Sequence, residues 1–508
     1  MLKKLRVCLA AVFWLGITIL FLDFTGALHG WLGWMAKIQF LPAVMALNVG
    51  VIIGLILLTL VFGRVYCSVI CPLGVFQDVV AHISRAYKKR HGRRRPYSSS
   101  PEKKWLRYSV WALFVLAIIL GINAFASILA PYSAYGRIVQ NLFQPLYIWC
   151  NNLLALAAER INSYAFYSGE VWLDSLPAFA VAAATLVTVV ILAWKHGRTW
   201  CNTICPVGTT LSFFSRFAMF RPVIDTDKCK NCKLCEHNCK AACIDIDSHS
   251  IDYSRCVDCL NCIDKCRFGA LRYRFAWKRK ETVAESATKV DAGASSHAAS
   301  PERRAFLTGT AIAAGTIGLK AQGKKADGGL AVILDKKAPS RKTCITPPGS
   351  MSAKNMYSHC TACQLCVAEC PNHVLRPSSD LDRFMQPESS FERGWCRPEC
   401  TLCSEVCPTG AIRKTDRAEK SSIQTGHAVW VRDNCIPLKD GVECGNCARH
   451  CPSGAIIMVN SVPGDPSSVK IPAVNESRCI GCGACEHLCP SRPFSAIYVE
   501  GHDEHRYI

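Results

Sequence analysis

The stretch Gly63-Arg-Val-Tyr-Cys-Ser-Val-Ile-Cys-Pro-Leu-Gly74 occurs a second time as Gly197-Arg-Thr-Trp-Cys-Asn-Thr-Ile-Cys-Pro-Val-Gly208, and seven of the twelve positions are identical. Each copy follows a long apolar run, so the sequence predicts two similar halves, each a pair of membrane helices that ends in Cys-x3-Cys-Pro. Parallel repeats place corresponding parts on the same side of a bilayer. Four thiols are therefore predicted to emerge from one face and converge: Cys67, Cys71, Cys201 and Cys205.

Four apolar runs are predicted to span the membrane: Val7–Leu22, Ala43–Phe62, Val110–Ala130 and Leu176–Trp194. About 20 apolar residues suffice to cross roughly 30 Å of hydrocarbon. The first run follows a short basic flank, which is also typical of a signal peptide. We predict that it is retained, because Asp23-Phe-Thr-Gly-Ala offers no small-x-small cleavage site. Buried helices of a soluble protein are the alternative, which the recurring uncharged runs disfavour.

Lysine and arginine are unevenly distributed along the chain. The formal net charge is +21, and ten Lys or Arg residues fall between Arg85 and Arg107, whereas the segment from Pro131 to Ser175 carries two. Cytoplasmic loops of membrane proteins are enriched in these residues. We therefore expect a multi-pass protein of the bacterial inner membrane, with the basic loop and both cysteine motifs on the cytoplasmic side and no nucleic-acid partner.

Cysteine usage indicates metal ligation. Of the 32 cysteines, 24 fall into six tight runs of four, whereas a disulfide-rich secreted protein would be short and would lack membrane spans. The first two runs have the bacterial two-cluster ferredoxin spacing, in which the fourth cysteine of each run ligates the other cluster. One predicted cluster takes Cys229, Cys232, Cys235 and Cys266, and the other takes Cys256, Cys259, Cys262 and Cys239.

This pair of runs departs from the usual pattern. Lys240 and Arg267 stand where proline usually follows the fourth cysteine, and positive charge there is expected to favour the reduced cluster. Cys243 is an additional thiol. We interpret it as structural, with replacement of Cys239 as a ligand as the alternative.

Four further runs lie near the C-terminus, and their sixteen cysteines suit four cubane clusters. Zinc also binds paired Cys-x2-Cys, but three close thiols followed by Cys-Pro are not a zinc pattern. The sequence leaves open whether adjacent runs exchange their fourth cysteine or the first pairs with the last and the second with the third. The runs are Cys360, Cys363, Cys366 and Cys370; Cys396, Cys400, Cys403 and Cys407; Cys435, Cys444, Cys447 and Cys451; and Cys479, Cys482, Cys485 and Cys489.

A polar stretch from Trp277 to Ser300 is predicted to be a flexible linker. It leads to Arg303-Arg304-x-Phe306-Leu307 and a weakly apolar segment, which resembles a twin-arginine export signal. Glu302 replaces the usual Ser or Thr, and the segment is internal. Export would place the four C-terminal runs in the periplasm. An ordinary helix in a cytoplasmic linker is the alternative.

The thiols of the repeated motif form a separate prediction. Thiols at i and i+4 share a helix face, and four converging thiolates suit iron and sulfur, so the repeat predicts one further metal centre at the cytoplasmic end of the bundle. Redox-active dithiols, or cysteines that only pack, are the alternatives. Arg64 and Arg198 are interpreted as snorkelling anchors. Asp23 and His29, near the outer end of the first span, are candidate acceptors of quinol protons.

These motifs carry a family resemblance over nearly the whole chain. Residues 1 to about 275 resemble the NapH-type membrane quinol dehydrogenases, and residues from about 300 resemble the NapG-type polyferredoxins, which are close to the MauM type. The resemblance implies a natural fusion of two subunits, a component of a quinol dehydrogenase that takes electrons from the membrane quinone pool. Menaquinol is the expected donor, and a periplasmic reductase such as nitrate reductase, or a cytochrome, the expected acceptor. The alternative is an assembly or maturation factor that supplies electrons to a metalloenzyme.

The predicted architecture is therefore multi-domain. An α-helical bundle of four transmembrane helices with a two-fold repeat occupies residues 1–220, and a cytoplasmic α+β ferredoxin-like domain with two clusters occupies residues 221–277. A linker with the twin-arginine-like segment covers residues 278–343. A four-cluster polyferredoxin domain covers residues 344–508, giving six [4Fe-4S] clusters in all.

Overall fold

The computed structural model describes residues 2–23, 26–91, 97, 102–160, 162, 166, 168–169, 171, 174–276, 326–327, 331–332 and 334–508. The twin-arginine-like segment and most of the predicted linker lie outside the described residues. What is described forms a helical bundle and two cysteine-rich modules with short strands and helices.

The bundle occupies the N-terminal part of the chain up to Ser215. Its longest helices are rich in aliphatic residues, and short helices fill the connections between them. In chain order its α-helices and two π-helical turns are Leu2–Leu22, His29–Leu32, Trp34–Lys37, Phe40–Met45, Val49–Phe62, Tyr66–Ile70 (π), Pro72–Arg90, Lys104–Ile119, Asn123–Leu129, Pro131–Ile138, Val139–Phe143 (π), Gln144–Glu159, Leu176–His196, Thr199–Thr203 and Pro206–Ser215.

Two of the four predicted spans are interrupted. Val49–Phe62 begins at Asn48, whose side chain accepts a hydrogen bond from the amide of Val51 and so caps the helix. Lys104–Ile119 ends before Gly121, which has a φ of +75°. At 1.5 Å per residue these helices are about 21 and 24 Å long.

The other two predicted spans are single helices. Leu2–Leu22 and Leu176–His196 each have 21 residues and are long and apolar enough to cross a membrane. Among the described residues, these are the two candidate spans.

The first cysteine-rich module follows the bundle directly. Its outer strands, Phe220–Ile224 and Leu271–Phe275, pair antiparallel and bring the two ends of the module together. A second antiparallel pair joins Ile244–Asp245 to Ser250–Ile251, and the short helices Leu234–His237 and Asn261–Lys265 carry cysteines. We call residues 220–276 the first module.

The second cysteine-rich module comprises residues 334–508 and is held together mainly by short elements. Its longest strand pair joins Ile423–Trp430 to Ile497–Tyr507. The other elements are the strand pairs Leu375–Pro377 with Pro387–Ser389 and Ile456–Asn460 with Lys470–Val474, the α-helices Ala353–His359, Leu365–Ala368, Leu402–Val406, Arg417–Ser422, Ile436–Lys439, Asn446–Arg449 and Ala484–Leu488, and the 3-10 turns Leu381–Arg383, Arg432–Asn434 and Glu476–Arg478. Ala326–Asp327 pairs with Ala331–Val332 ahead of it.

The two modules contact opposite ends of helix Leu2–Leu22. At its beginning, the Lys3 ammonium lies 2.7 Å from a carboxylate oxygen of Asp264 in the first module. At its end, Phe21 packs against Gly136, whose Cα faces the carbonyl of Cys363 in the second module. The bundle therefore separates the two modules by the length of this helix, about 30 Å.

Candidate metal centres

The 24 cysteines of the six runs come together in six sets of four. Four of the sets line cavities, the other two are recognised from thiols that lie close to one another, and each set takes three cysteines from one run and the fourth from its neighbour. The sets are Cys229, Cys232, Cys235 and Cys266; Cys256, Cys259, Cys262 and Cys239; Cys360, Cys363, Cys366 and Cys407; Cys396, Cys400, Cys403 and Cys370; Cys435, Cys444, Cys447 and Cys489; and Cys479, Cys482, Cys485 and Cys451.

The partner of each run, which the sequence left open in the second module, is thus its neighbour in the chain. Cys407 lies beside Cys363, and Cys370 lies beside Cys396, so the first and second runs of this module exchange their fourth cysteines. Cys489 lines the cavity of Cys435, and Cys451 lies beside Cys479. The second module is therefore two consecutive units, each with the crossed arrangement of a two-cluster ferredoxin.

The four runs of standard spacing share one loop conformation. Residues two and four positions after the first cysteine have positive φ in each of them, which turns the backbone around the thiols. These pairs are Asn231 and Lys233, Asp258 and Leu260, Ala362 and Gln364, and Gly481 and Gly483.

The donor sets fit [4Fe-4S] clusters. Backbone amides point at the ligand sulfurs, as from Val374 to Cys370 at 3.4 Å and from Ala455 to Cys451 at 3.3 Å, and such hydrogen bonds stabilise thiolates. Within the described part of the chain, no three Cys, His, Asp or Glu side chains converge closely enough for a single metal ion. Thiols that surround a cluster of several atoms do not need to meet so closely.

Cys243 lies in the cavity of the Cys239 set. Its Sγ is 3.4 Å from the Sγ of Cys239, and it is buried. The hydrogen bond from Cys243 lowers the pKa of Cys239 to about 7, whereas the hydrogen bonds with Cys239 and Cys256, together with burial, raise the pKa of Cys243. Cys243 occupies the position of Val374 and Ala455 in the corresponding runs, four residues after the fourth cysteine.

The repeated motif forms a second kind of site, which we call the thiol quartet: Cys67, Cys71, Cys201 and Cys205. All four side chains are 4% exposed. In each half the amide of the second cysteine bonds five residues back, from Cys71 to Tyr66 and from Cys205 to Trp200. The two halves meet at these thiols, because Gln77 Nε2 of the first half donates to the sulfur of Cys201 at 3.4 Å.

The Cys-Pro pair places two quartet thiols at helix N-termini. Proline is favoured as the first helical residue, and Pro72 and Pro206 begin the next helices. The Cys205 sulfur accepts a hydrogen bond from the amide of Gly208 at 3.3 Å, so it caps its helix. A helix N-terminus favours negative charge. Burial, with the neighbouring thiols, nevertheless raises the pKa of Cys71, so negative charge on this sulfur requires a metal or a cation.

Arg64 and Arg198 are not snorkelling anchors, and that prediction is wrong. Both side chains are buried, and each crosses to the other half of the repeat. Arg64 Nη2 donates to the carbonyl of Cys201 at 3.2 Å, and Arg198 Nη1 donates to the carbonyl of Cys67 at 2.7 Å. Each guanidinium also approaches a thiol of its own half, Cys67 at 3.7 Å and Cys201 at 3.9 Å. The arginines therefore lie against the quartet rather than at a lipid surface.

Because each arginine reaches the opposite half, the last position of the motif has room only for glycine. A Cβ on Gly74 would lie 2.9 Å from Arg198 Nη1, and a Cβ on Gly208 would lie 2.7 Å from Arg64 Nη2. Both would also meet the carbonyl of the first cysteine in their own half. The identical residues of the two copies thus build one site of approximate two-fold symmetry.

Cations outnumber carboxylates around the quartet. Asp78 is shared by Arg198 at 2.9 Å, Arg6 at 3.2 Å and Lys240 at 3.3 Å, and although burial opposes ionisation, these cations lower the pKa of Asp78. The Arg64 guanidinium has no carboxylate partner among the described residues. It donates instead to Asn202 Oδ1, to two backbone carbonyls and to the Cys67 sulfur.

The first module contacts the bundle beside the quartet, at the start of each motif copy. The Arg64 amide donates to Asp258 Oδ2 at 2.9 Å, and the Arg198 amide donates to the Lys240 carbonyl at 2.9 Å. Asp258 follows Cys256, and Lys240 follows Cys239, so the Cys256 set is the one nearest the quartet. Burial raises the pKa of Asp258 to about 7.

The second module is bound at the other end of the bundle by buried polar side chains. Arg137 Nη1 donates to the carbonyl of Ala362 at 3.3 Å, and Asn141 Nδ2 donates to Gln364 Oε1 at 2.8 Å. Asn123 donates to the carbonyl of Ser358. These contacts surround the Cys360 set, which therefore faces the bundle.

Asp23 and His29 lie at this same junction. Asp23 is buried and accepts a hydrogen bond from the amide of Leu28 at 2.7 Å. Burial lowers the pKa of His29, which lies near Glu405 of the second module. The buried carboxylate of Glu369 from the same module lies near Asp23. Sequence reasoning missed Glu369 because nothing in the sequence shows that the second module closes over the end of the first helix.

Comparisons with known proteins agree with the cysteine geometry. A family model described as a 4Fe-4S binding domain matches residues 44–90 and again residues 178–223, which are the two copies of the repeat. Another 4Fe-4S binding domain model matches residues 249–272, and a 4Fe-4S dicluster domain model matches residues 395–455 and 442–492. No solved structure matches the chain.

Curated relatives are ferredoxin-type proteins. The methylamine utilization ferredoxin-type protein MauM of Methylobacillus flagellatus is 33% identical over 176 residues, which cover 32% of this chain and 70% of MauM. MauM of Methylorubrum extorquens is 30% identical over 37% of this chain and 85% of its own length. The ferredoxin-type protein NapF of Escherichia coli K12 is 29% identical over 31% of this chain and 87% of NapF. The chain is a multi-domain iron–sulfur protein that belongs to the MauM family of ferredoxin-type electron-transfer proteins.

Proposed function

We propose that this protein is a membrane-anchored component of a quinol dehydrogenase, which oxidises menaquinol and delivers the electrons to a periplasmic reductase such as nitrate reductase, or to a cytochrome. The observation that carries the proposal is the seating of a ferredoxin-type module at each end of helix Leu2–Leu22. This arrangement sets one-electron sites beside the lipid phase, in which quinol is dissolved.

The six thiol sets are proposed to hold six [4Fe-4S] clusters, with the 24 cysteines as ligands. When bound, each cluster supplies a one-electron acceptor, whereas a quinol releases two electrons and two protons. The chain itself orients the thiols of four runs through positive-φ loops, and of the 24 cysteines it buries 11, half-buries 12 and leaves Cys232 exposed.

The bundle is proposed to cross the inner membrane four times, with the first module in the cytoplasm and the second in the periplasm. The clustering of Lys and Arg between Arg85 and Arg107 supports this orientation. Apolar side chains exposed on the shorter helices support it too, such as Ile53 and Leu57 on one and Leu113 and Leu116 on the other. A soluble bundle would bury such side chains.

The domain boundaries and the fusion are part of the same proposal. Residues 1–220 and 221–277 correspond to a NapH-type subunit and residues 344–508 to a NapG-type subunit, joined by residues 278–343. The match to a 4Fe-4S dicluster domain model at residues 395–455 and 442–492 supports the second half of this assignment. The repeated match to a 4Fe-4S binding domain model supports the first half.

Asp23 and His29 are proposed to receive the quinol protons. Both lie where the end of the first helix meets the second module, close to the Cys360 set. Ionisable groups at a membrane junction are uncommon and often functional.

The proposal is tested with the full chain, purified anaerobically and reconstituted in nanodiscs. Addition of a menaquinol analogue is expected to bleach the visible absorbance of the clusters, and an added oxidant of high potential should give many turnovers. Fully loaded protein whose clusters stay oxidised with excess quinol would contradict quinol oxidation.

An assembly or maturation factor is the second candidate function. The membership of the MauM family keeps it open, because the name of these relatives refers to a metabolic process and not to a reaction. Slow reduction of the clusters in a stoichiometric amount, without turnover, would favour this function over the first.

A further inference from the structure

We propose that the thiol quartet holds a seventh, anionic iron–sulfur centre, and that this centre relays single electrons between the two modules within one chain. The inference rests on the proposed function only in taking the six ferredoxin-type sets as loaded with clusters. It adds a metal site and an electron path across the bundle.

Charge is the first argument for an anionic centre. Arg6, Arg64, Arg198 and Lys240 lie around the quartet. Asp78 pairs with three of them, and Asp258 accepts a hydrogen bond from the backbone amide of Arg64, so four cations face two carboxylates. A buried ion without a counter-ion is strongly unfavourable. Arg64 is fully buried and, among the described residues, has neutral oxygens and the Cys67 sulfur as its partners. Four thiolates around iron would supply the missing negative charge.

Arg137 provides an internal reference for this interpretation. It is also fully buried, and its described hydrogen-bond partners are the carbonyls of Ser127, Ile128 and Ala362. It lies beside Cys363, which belongs to a set of standard ferredoxin spacing. A buried arginine without a carboxylate thus accompanies a recognisable cluster site, and the quartet has the same feature in Arg64.

The sulfur geometry argues for a cluster rather than one ion. The quartet, like the six ferredoxin-type sets, contains no three donors close enough for a single metal ion in the described structure. Zinc with four cysteines would need that closeness. A cluster of iron and sulfide is larger, and four thiolates suit iron and sulfur.

The position of the quartet makes it a relay. On one side, the backbone amides of Arg64 and Arg198 donate to the carboxylate of Asp258, next to Cys259, and to the carbonyl of Lys240, next to Cys239. The intervening residues Val257 and Cys259 belong to the same buried hydrophobic cluster as Cys67 and Cys71. The first module therefore packs directly against the quartet.

Two tyrosines connect the quartet to the second module. Tyr66 is 1% exposed, lies next to Cys71 and donates a hydrogen bond to Gln39 Oε1 at 3.0 Å. Tyr132, also 1% exposed, neighbours Tyr66 on one side and Cys363 and Cys407 on the other. Both tyrosines belong to the buried cluster that contains Cys67 and Cys363. The path from the first module to the second thus runs through packed protein.

The electron balance is simple. Clusters bound at the Cys256 set, the quartet and the Cys360 set would each take up or release one electron, so one electron would leave each centre for every electron that the next one receives. No bond forms or breaks, and no proton is transferred.

The test compares the full-length chain with Cys201→Ser and with the control Cys150→Ser, which removes an exposed thiol of the bundle. Iron and acid-labile sulfide are counted after anaerobic purification. Wild type and control should contain iron beyond the roughly 24 atoms of six cubanes, and Cys201→Ser should lose that excess alone. Iron for six clusters in wild type, with all four quartet thiols open to alkylation, overturns the proposal.

The relay is tested in sealed inside-out membrane vesicles from which the quinones have been extracted, with dithionite added outside so that quinol plays no part. In wild type, EPR should show reduction of the clusters in both modules. In Cys201→Ser, reduction of the second module should be lost until detergent opens the vesicles. Tyr132→Leu should retain the iron of the seventh centre and slow the same reduction. Equal reduction of the second module in wild type and Cys201→Ser overturns the relay, whatever the reactivity with quinol.

Discussion

The ferredoxin-type sets and the thiol quartet hold four thiols each, but they are built differently. In the Cys256 set, three thiols lie within one loop of seven residues, whose shape is fixed by positive φ at Asp258 and Leu260. In the quartet, the thiols come from two halves of the bundle, and Arg64 and Arg198 bind each half to the other.

The geometry of a ferredoxin-type site is determined by local sequence, whereas the geometry of the quartet is determined by the packing of the two halves of the bundle. A ferredoxin-type site is fixed by spacing over a few residues, so its fold depends on the metal that fills it. The quartet is positioned by long helices that can pack without metal. It differs from the ferredoxin-type sites in the arginine and lysine side chains that lie around it. This contrast can be tested by removing the metal and by changing single residues of each kind of site.

Removal of iron and sulfide should unfold the modules and spare the bundle. Within residues 334–508 the longest helix, Ala353–His359, has seven residues, whereas Leu2–Leu22 has 21. Short elements around empty sites lack the core needed for stability. Chelation under air, followed by limited proteolysis, should give cleavage throughout residues 220–276 and 334–508 and a protected bundle. Modules that resist protease after all iron has left would refute the contrast.

Arg64→Met should destabilise the loaded protein by about 3–5 kcal/mol, because it leaves a buried anionic centre without its cation. In the Cys201→Ser background, which lacks the centre, the loss of stability caused by Arg64→Met should be clearly smaller. Denaturant titrations measure the free energy of unfolding of the bundle in the wild type, in the two single variants and in the double variant. This double-mutant cycle gives the coupling energy between Arg64 and Cys201.

The matched control for this cycle is Arg160→Met, since Arg160 is exposed at the end of helix Gln144–Glu159. It should change stability by no more than about 0.5 kcal/mol. An equal cost of Arg64→Met in both backgrounds would show that the arginine does not compensate a metal–thiolate charge.

The same contrast explains how much could be predicted from sequence. The spacing of the cysteines alone predicts the thiol sets of the first module. The duplicated motif predicts a site that is built by both halves of the bundle. The crossing of Arg64 and Arg198 does not follow, because a buried and a snorkelling arginine have the same sequence context after an apolar run. Their identity in both copies was the available signal that they belong to the site.

The helix boundaries and the contacts between the bundle and the second module could not be predicted from the sequence, for related reasons. The break at Gly121 interrupts an apolar run that hydropathy alone treats as continuous. Arg137 and Tyr132 gain their roles from contact with the second module, more than 200 residues later in the chain. No periodicity or spacing encodes such a contact.

Gly74→Ala and Gly208→Ala should have similar effects if the quartet is symmetric. Each added Cβ would press on an arginine of the opposite half and on a cysteine carbonyl. Overpacking of this kind costs about 1–3 kcal/mol. Gly54→Ala is the control, because nothing lies within 4 Å of its added Cβ and alanine favours the helix. Thermal unfolding of the bundle measures all three, and a marked difference between the two motif variants would argue against the shared architecture.

Cys243→Ala should have the smallest effect, a shift in the reduction potential of one cluster. As a ligand, Cys239 is a thiolate, so the hydrogen bond at 3.4 Å is donated by Cys243. Such a bond stabilises the more negative, reduced cluster. At about 0.5–1.5 kcal/mol for a net hydrogen bond and about 59 mV per tenfold for one electron, its loss should lower the potential by about 20–60 mV.

An EPR-monitored redox titration measures this shift, with Val374→Ala at the equivalent position as the control without a sulfur atom. The Val374 variant should leave the potential of the neighbouring Cys370-ligated cluster unchanged, because valine donates no hydrogen bond. Cys243→Ala should also retain its full iron content. If the variant loses the cluster instead, Cys243 is a ligand in place of Cys239, and the alternative that the sequence left open is the correct one.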